Sequence, residues 1–137
     1  MKTFGKKSFL LYVIISLAIT LIPLYMTIIG KLDTWVLLLI PLNIAVVGYG
    51  AYLTYIVITI SDHELCVELP FRKKKTTYFM NDIQVVTFDV YKDDSNKTQK
   101  KMTVQKKDNT EDTYNLSGFF FERVWLQKEL SKHVDIL

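Results

Sequence analysis

Residues 8–30 read SFLLYVIISLAITLIPLYMTIIG and carry no charged side chain in 23 positions. Residues 34–60, TWVLLLIPLNIAVVGYGAYLTYIVITI, carry none in 27. At a rise of about 1.5 Å per residue, helices of these lengths would be about 35 and 40 Å long, against about 30 Å for the hydrocarbon core of a bilayer. Residues 61–137 are too polar to enclose two such helices in a soluble core. These stretches therefore predict two transmembrane helices.

The distribution of cations predicts the orientation of this pair. Only residues 31–33 separate the two stretches, so the helices must form a tight antiparallel hairpin with a short external loop. Lys2, Lys6 and Lys7 lie in the N-terminal tail, residues 1–7, and a second basic group follows the second stretch. Positive charge is retained in the cytoplasm, which places the tail and a domain of residues 61–137 there. The first stretch is also longer than the apolar part of a cleaved signal peptide, about 7–15 residues. The prediction is a cell-membrane protein with two spans and cytoplasmic termini.

Asn43 is the most polar side chain within either predicted span. We expect its amide to form a hydrogen bond across the hairpin, worth about 1 kcal/mol, with a direct functional role as the alternative. Gly48 and Gly50 would allow close approach of the two helices near the end of the second span. These small residues permit an oligomer without predicting one.

The pattern changes to a period of two from Ser61 onward, which is typical of half-buried strands. Alternating segments at 63–70, 72–79, 83–91, 100–107 and 112–116 predict at least five strands, with a loop at 93–97. The side chains predicted to face inward are Leu65, Val67, Leu69, Val86, Phe88, Val90, Met102, Val104, Tyr114 and Leu116. Residues 117–137 then show helical periodicity, with Ser117 as N-cap and an apolar stripe of Phe119, Leu126, Leu130, Val134 and Leu137. The expected fold is a small β-barrel or sandwich of about five to seven strands, closed by a C-terminal amphipathic helix.

The stretch LPFRKKKTTYF, residues 69–79, contains four consecutive cations, Arg72, Lys73, Lys74 and Lys75. The run is first of all a topology signal. Beyond that it is either a solvated hairpin turn or a contact for anionic lipids, which would gain about 1 kcal/mol per cation near the surface.

Phe121 and Trp125, one helical turn apart, break the amphipathic pattern of the C-terminal helix. Either they cover a sheet edge or a neighbouring loop, or they form an aromatic patch with Lys128 and Lys132. Such a patch would meet the membrane surface or a partner protein.

Charge and composition exclude several classes of function. Residues 61–137 carry 13 Lys plus Arg and 13 Asp plus Glu, a neutral balance that argues against nucleic-acid binding. Cys66 is the single cysteine, and His63 and His133 are the only histidines, without metal-ligand spacing or a nucleophilic dyad. No glycine-rich phosphate loop occurs. The sequence predicts a non-enzyme without cofactor or metal.

The stretch TYIVITISDHELCVELPFRKKKTTYFMNDIQVVTF, residues 54–88, resembles the start of the small PH-type domain in bacterial pleckstrin-homology-like membrane proteins. The N-terminal MKTFGKKSFLLYVI, the size and the two-span layout resemble the sublancin immunity protein family of Gram-positive bacteria. Those small membrane proteins protect a bacteriocin producer from its own product.

The resemblance implies immunity without catalysis, exerted in the membrane and from its cytoplasmic face. The partners would be the bilayer and the bacteriocin, its membrane target or a transporter. The residues expected to contribute are Asn43, Arg72, Lys73, Lys74, Lys75, Phe121 and Trp125. The alternative is a membrane-tethered PH-like scaffold that binds proteins or a lipid surface and has no link to bacteriocins.

Overall fold

The computed structural model describes residues 1–92, 94–96, 98–119 and 121–137. The described residues form seven strands and three α-helices, in the order β1 (Lys2–Phe4), α1 (Lys6–Ile28), α2 (Leu39–Thr54), β2 (Val57–Ile60), β3 (Glu64–Leu69), β4 (Lys74–Phe79), β5 (Ile83–Lys92), β6 (Thr98–Lys106), β7 (Glu111–Asn115) and α3 (Glu122–Leu130). The predicted order of a helix pair, a set of strands and a C-terminal helix is confirmed. The loop predicted at 93–97 includes Asp93 and Lys97, which lie outside the described residues.

The turn after α1 explains how the helix pair reverses direction in so few residues. Gly30 adopts a left-handed conformation (φ 73°). The Lys31 N–H donates to the Met26 carbonyl at 2.9 Å, and the Gly30 N–H donates to the Thr27 carbonyl at 3.0 Å. This is the Schellman arrangement that closes helix C-termini. A 3₁₀ turn, Thr34–Leu38, then leads into α2.

The two helical segments Lys6–Ile28 and Thr34–Thr54 are each long and apolar enough to cross a membrane. Almost none of their residues is buried by the rest of the chain. A core helix of a soluble domain would have its apolar side chains covered. The helix pair therefore extends away from the domain with its apolar surface uncovered.

The second helix ends earlier than the apolar stretch predicts. The predicted span reaches residue 60, whereas α2 ends at Thr54 and β2 begins at Val57. Residues 56–60, IVITI, are rich in β-branched side chains, which favour strands. Ile58 and Ile60 are buried in the domain core, and β2 has a partner strand on each side. Pairing and burial decide the boundary that hydropathy alone places too late.

The first sheet has the order β1-β2-β3-β4 and is antiparallel throughout. Its first strand comes from the segment that the sequence assigns to an N-terminal tail. Lys2 lies opposite Ile60, and Phe4 lies opposite Ile58. The helix pair is therefore inserted between two neighbouring strands of one sheet.

The second sheet has the order β5-β6-β7, and the C-terminal residues pair with its β5 edge. The Val86 N–H donates to the Asp135 carbonyl at 3.0 Å, and the Leu137 N–H donates to the Val86 carbonyl at 3.1 Å. The expected barrel is not formed, because the strands divide into two separate sheets.

The predicted helix over residues 117–137 is wrong in its extent, since α3 covers only Glu122–Leu130. Ser117 is not its N-cap; the Ser117 hydroxyl donates to Gln99 Oε1 at 2.9 Å. The unpaired backbone groups of β5 offer residues 135–137 a ladder of hydrogen bonds that a longer helix would forgo.

One hydrophobic core joins both sheets and α3. Of the side chains predicted to face inward, seven are buried: Leu65, Val67, Val86, Met102, Val104, Tyr114 and Leu116. Leu69 and Phe88 pack partly buried against this core. The prediction for Val90 is wrong, because 53% of its surface is exposed. It lies near the end of β5, beyond the part of the strand that the core covers.

A buried hydroxyl cluster links the two sheets where no backbone pairing does. The Tyr78 hydroxyl on β4 donates to Asp112 Oδ2 at 2.6 Å and is hydrogen-bonded to the Tyr114 hydroxyl on β7. Burial raises the pKa of Tyr78 above its ordinary value, and the hydrogen bonds to Asp112 and Tyr114 raise it further. Side chains therefore join β4 of the first sheet to β7 of the second.

Glu122 connects α3 to the first turn of α1. Its side chain is 2% exposed, and Oε2 accepts the N–H of Gly5 at 3.1 Å and the N–H of Ser8 at 2.7 Å. The first N–H groups of a helix lack partners within the helix and carry a partial positive charge. A carboxylate at this point accepts hydrogen bonds from two of these donors, and its negative charge interacts favourably with the helix dipole. Gly5 itself is left-handed (φ 98°), and a side chain there would collide with the Ile56 carbonyl.

A second contact holds the N-terminal strand to the other end of α3. The Glu129 carboxylate accepts hydrogen bonds from Lys2 Nζ at 2.7 Å and from Lys132 Nζ at 2.9 Å. These two ammonium groups lower the pKa of Glu129 to about 2. β1 therefore lies alongside α3, and hydrogen bonds to Glu122 and Glu129 hold the two ends of this strand to the helix.

We expect Glu122→Ala to lower the free energy of unfolding by about 2–4 kcal/mol, because each buried donor left without an acceptor costs about 1–3 kcal/mol. Glu122→Gln retains one acceptor oxygen and should cost only about 1 kcal/mol, the value of the lost charge. Chemical unfolding of the full chain in detergent measures both variants, and hydrogen exchange at Ser8 should accelerate. Glu111→Gln, exposed on β7, is the control. An Ala variant as stable as the Glu111→Gln chain would contradict this role.

We expect stability to fall more steeply with acid in the native chain than in Glu129→Gln. The pKa of Glu129 is lowered from 4.5 to about 2 on folding. Its contribution is therefore complete above pH 4.5 and is lost as the pH falls toward 2. Melting temperatures of both chains across this interval measure the difference, since all other carboxylates are shared. Parallel curves would show that the Lys2–Glu129 contact contributes nothing.

Candidate functional site

The candidate site is the base of the helix pair, defined here as Gly5 with the first turn of α1 (residues 5–9) and the last residue of α2 with the link to β2 (residues 54–56). The turn between β3 and β4 reaches this base, and so do Gly118 and Glu122. A side chain added at Gly118 would lie 3.1 Å from the Thr54 carbonyl, so Gly118 lies close against the end of α2. The Glu122 contact places the start of α3 against α1. Two of the residues that the sequence singles out are neighbours of these contacts in the chain, since Arg72 lies in the β3–β4 turn and Phe121 directly precedes Glu122.

An aromatic cluster fixes the basic turn to the base. The rings of Phe9 and Tyr55 stack with centroids 4.0 Å apart. Phe71, at the tip of the β3–β4 turn, lies 5.4 Å from Tyr55 and 6.0 Å from Phe9. Aromatic pairs at these separations stabilise a structure by more than the burial of their apolar surface alone. The turn is therefore held against the helices by Phe71, a residue that sequence analysis did not single out.

The four cations of the turn directly follow Phe71 in the chain and are all exposed. The Arg72 guanidinium carbon lies 5.5 Å from the centroid of the Tyr52 ring on α2, a cation–π distance. Lys73 occupies the left-handed corner of the turn (φ 51°). Lys74 and Lys75 continue onto β4, where they lie opposite Leu69 and Glu68. Positive charge is thus concentrated beside the last turn of α2.

Phe121 and Trp125 form an exposed pair at the start of α3. Their ring centroids are 5.0 Å apart in an edge-to-face arrangement. The exposed fractions are 44% for Phe121, 51% for Trp125 and 67% for the neighbouring Val124. Lys128 is exposed one turn further along α3. We call Phe121, Val124 and Trp125 the aromatic face of α3.

The cross-helix hydrogen bond expected of Asn43 is confirmed. Its Nδ2 donates to the Thr20 hydroxyl at 2.7 Å. The Thr20 hydroxyl in turn donates to the Ser16 carbonyl at 2.9 Å, so the polar group of Asn43 is part of a short chain of bonds between α2 and α1. Asn43 lies on the helix pair and apart from the other candidate residues, which belong to the domain.

Of the two glycines predicted to allow close approach, only Gly50 does so. A side chain at Gly50 would lie 2.7 Å from the Tyr12 hydroxyl, whereas one at Gly48 would meet nothing within 4 Å. Gly50 leaves room for the Tyr12 hydroxyl to donate to the Val47 carbonyl at 2.9 Å. The prediction for Gly48 is wrong because that residue faces away from α1.

Among the described residues, no group of three or more His, Cys, Asp and Glu side chains could hold a metal ion. Exposed cations, exposed aromatic rings and a hydrogen-bonded helix pair can bind a surface or another chain. No family model, curated protein or solved structure matches this chain.

Glu122 and Phe71 were not predicted from the sequence, although the position of Glu122 carried a signal. Glu122 lies four residues before Leu126, on the apolar stripe of the C-terminal helix. A carboxylate at such a position predicts a buried partner. Phe71 carried no comparable signal, because a single aromatic residue in a basic turn does not show which rings it will meet.

We expect Gly50→Ala to be less stable than Gly48→Ala by about 1–2 kcal/mol, because it displaces Tyr12 and removes one hydrogen bond between helices. Unfolding of the full chain in detergent measures both. The effect should vanish in a Tyr12→Phe background, where the nearest ring atom would lie 3.8 Å from the new methyl group. Equal stabilities of the two alanine variants in the native background would contradict the close contact.

Proposed function

We propose that the helix pair spans the cell membrane and that both termini are cytoplasmic. The observation that carries this proposal is the uncovered apolar surface of segments Lys6–Ile28 and Thr34–Thr54. In water that surface would be costly to expose. The cations at the base add support, since Lys6, Lys7 and Arg72 lie beside the same ends of the two helices.

The insertion of the pair within a sheet also argues against a cleaved signal peptide. β1 precedes α1 and pairs with β2 after the helix pair. Cleavage after α1 would remove an edge strand, the Lys2–Glu129 contact and both donors to Glu122. We therefore regard α1 as a permanent part of the folded protein.

The soluble part fits the PH-like domain that the resemblance of residues 54–88 implies. In this proposal β1–β4 form one layer, β5–β7 form the other, and α3 closes the core. The helix pair then occupies the connection between the first and second strands, so that the membrane segment is an insertion into the domain.

The function that we propose is immunity to a sublancin-type bacteriocin, exerted without catalysis. It rests on the resemblance of MKTFGKKSFLLYVI and of the two-span layout to the immunity family. The connection between the helices is only a few residues long and leaves little of the chain outside the cell. Protection would therefore act within the bilayer or from the cytoplasmic side, by shielding the toxin's membrane target or by binding a transporter that the toxin uses.

A membrane-tethered scaffold unrelated to bacteriocins is the second candidate. The aromatic face of α3 favours it, because exposed Phe and Trp side chains are common in binding sites. This candidate predicts partners in the membrane or cytoplasm and no change in sensitivity to a toxin.

Expression of the full chain in a sensitive Gram-positive strain should raise the inhibitory concentration of sublancin at least about tenfold, which corresponds to about 1.4 kcal/mol if protection follows occupancy of one target. A strain that expresses Glu122→Ala at equal membrane level tests whether the folded junction is needed. Dose–response curves provide the measurement.

Two further variants locate the protective surface. In one, Arg72, Lys73, Lys74 and Lys75 are replaced by Gln; in the other, Phe121 and Trp125 are replaced by Ser. Lys92→Gln with Lys107→Gln removes two exposed charges elsewhere on the domain and serves as the control for loss of surface charge. Unchanged sensitivity with the native chain correctly inserted would reject immunity and favour the scaffold.

A further inference from the structure

We propose that the aromatic face of α3 is an interfacial anchor whose side chains lie in the headgroup layer of the bilayer that the helix pair spans. This inference rests on the proposed two-span topology. The aromatic face of α3 is then in contact with lipid, and the β-sheet domain has a fixed orientation on the membrane surface.

The depth of the face follows from the Glu122 contact. Glu122 Oε2 accepts hydrogen bonds from Gly5 and Ser8. Ser8 begins the uncharged stretch, and Lys6 and Lys7 lie between the two bonded residues. Glu122 is therefore held at the level where cations give way to apolar residues, which is the membrane–water boundary. Phe121 precedes it directly in the chain.

The direction of α3 follows from the Lys2–Glu129 contact. Glu122 lies at the start of α1, whereas Glu129 reaches Lys2 at the far end of β1, with Nζ and Oε2 2.7 Å apart. The start of α3 therefore lies at the apolar stretch, and Glu129 lies about 10 Å further along the helix, beside Lys2. Trp125 is four residues from Phe121, so the two differ in depth by at most about 6 Å. The headgroup layer is about 5–7 Å thick on each side, so it reaches both rings.

The chemistry of the face matches this layer. Trp and Phe side chains are stabilised at the membrane interface, where the indole N–H can remain hydrated while the ring is in contact with lipid. Lys128, exposed on the next turn, would meet anionic headgroups. Gly118 lies against Thr54 of α2, and Glu122 is hydrogen-bonded to Ser8 of α1. The face is thus held at the surface by the fold itself.

Two single-tryptophan forms of the full chain test the proposal in vesicles of phosphatidylglycerol and phosphatidylcholine. Trp35→Phe leaves Trp125 as the reporter of the face, and Trp125→Phe leaves Trp35 as the reporter of helix insertion. Fluorescence is quenched with lipids spin-labelled near the headgroup or deep in the chain, and with acrylamide from the water. Shallow labels should quench Trp125 more than deep labels, and acrylamide should act about threefold less than on free tryptophan, as expected for an interfacial ring.

Variants of the Trp125 reporter give the matched comparison. Phe121→Ser with Val124→Ser should bring acrylamide quenching close to that of free tryptophan. Gln127→Ser, an exposed change on the same helix, should leave it unaltered. Equal quenching in these two chains would overturn the anchor.

The reporters also separate failure of the anchor from failure of the topology. If lipid labels quench Trp35 while Trp125 responds only to acrylamide, the helices are inserted and the face is free in water. The anchor is then wrong and a protein partner is favoured. If neither tryptophan is quenched by lipid, the two-span topology fails, and the anchor fails with it.

Discussion

A single buried carboxylate orients the β-sheet domain with respect to the helix pair. Glu122 accepts two backbone N–H groups at the start of α1, where the helix needs acceptors and favours negative charge. The requirement is reciprocal, since a carboxylate excluded from water needs such donors. The contact joins the N-terminal and C-terminal parts of the chain and determines where the aromatic face of α3 lies.

Because the helix pair is inserted into a sheet, further contacts join the domain to the helices close to Glu122. Only Gly5 separates β1 from α1, and only Tyr55 and Ile56 separate α2 from β2. With Phe71 packed on Phe9 and Tyr55, the basic turn is held beside the same base. The sandwich is thus connected to the helices by two very short links and two side-chain clusters. Such a domain presents a defined surface to whatever lies at the base.

For some candidate residues the environment could be predicted from the sequence, and for others it depends on which other segments of the chain lie beside them. The hydrogen bond of Asn43 could be predicted, because a polar group in an apolar helix has few available partners. The exposure of Arg72 and its neighbours also follows from their charge. The aromatic pair of Phe121 and Trp125 could be seen as a break in a periodic pattern, but its exposure could not. Whether a ring on a helix is covered depends on what other segments lie beside it.

The sequence by itself determined the two apolar helices, the short turn between them, the alternating strands and the terminal helix. Each is a local pattern repeated often enough to be recognised, by a run of uncharged residues or by a period of 2 or 3.6. Only the tertiary structure decided that residues 2–4 form a strand, that α2 ends at Thr54 and that the C-terminal residues leave the helix to pair with β5. These segments are too short to carry a period of their own. Their conformations follow from backbone hydrogen bonds with partners 49 or more residues away, which no local pattern records.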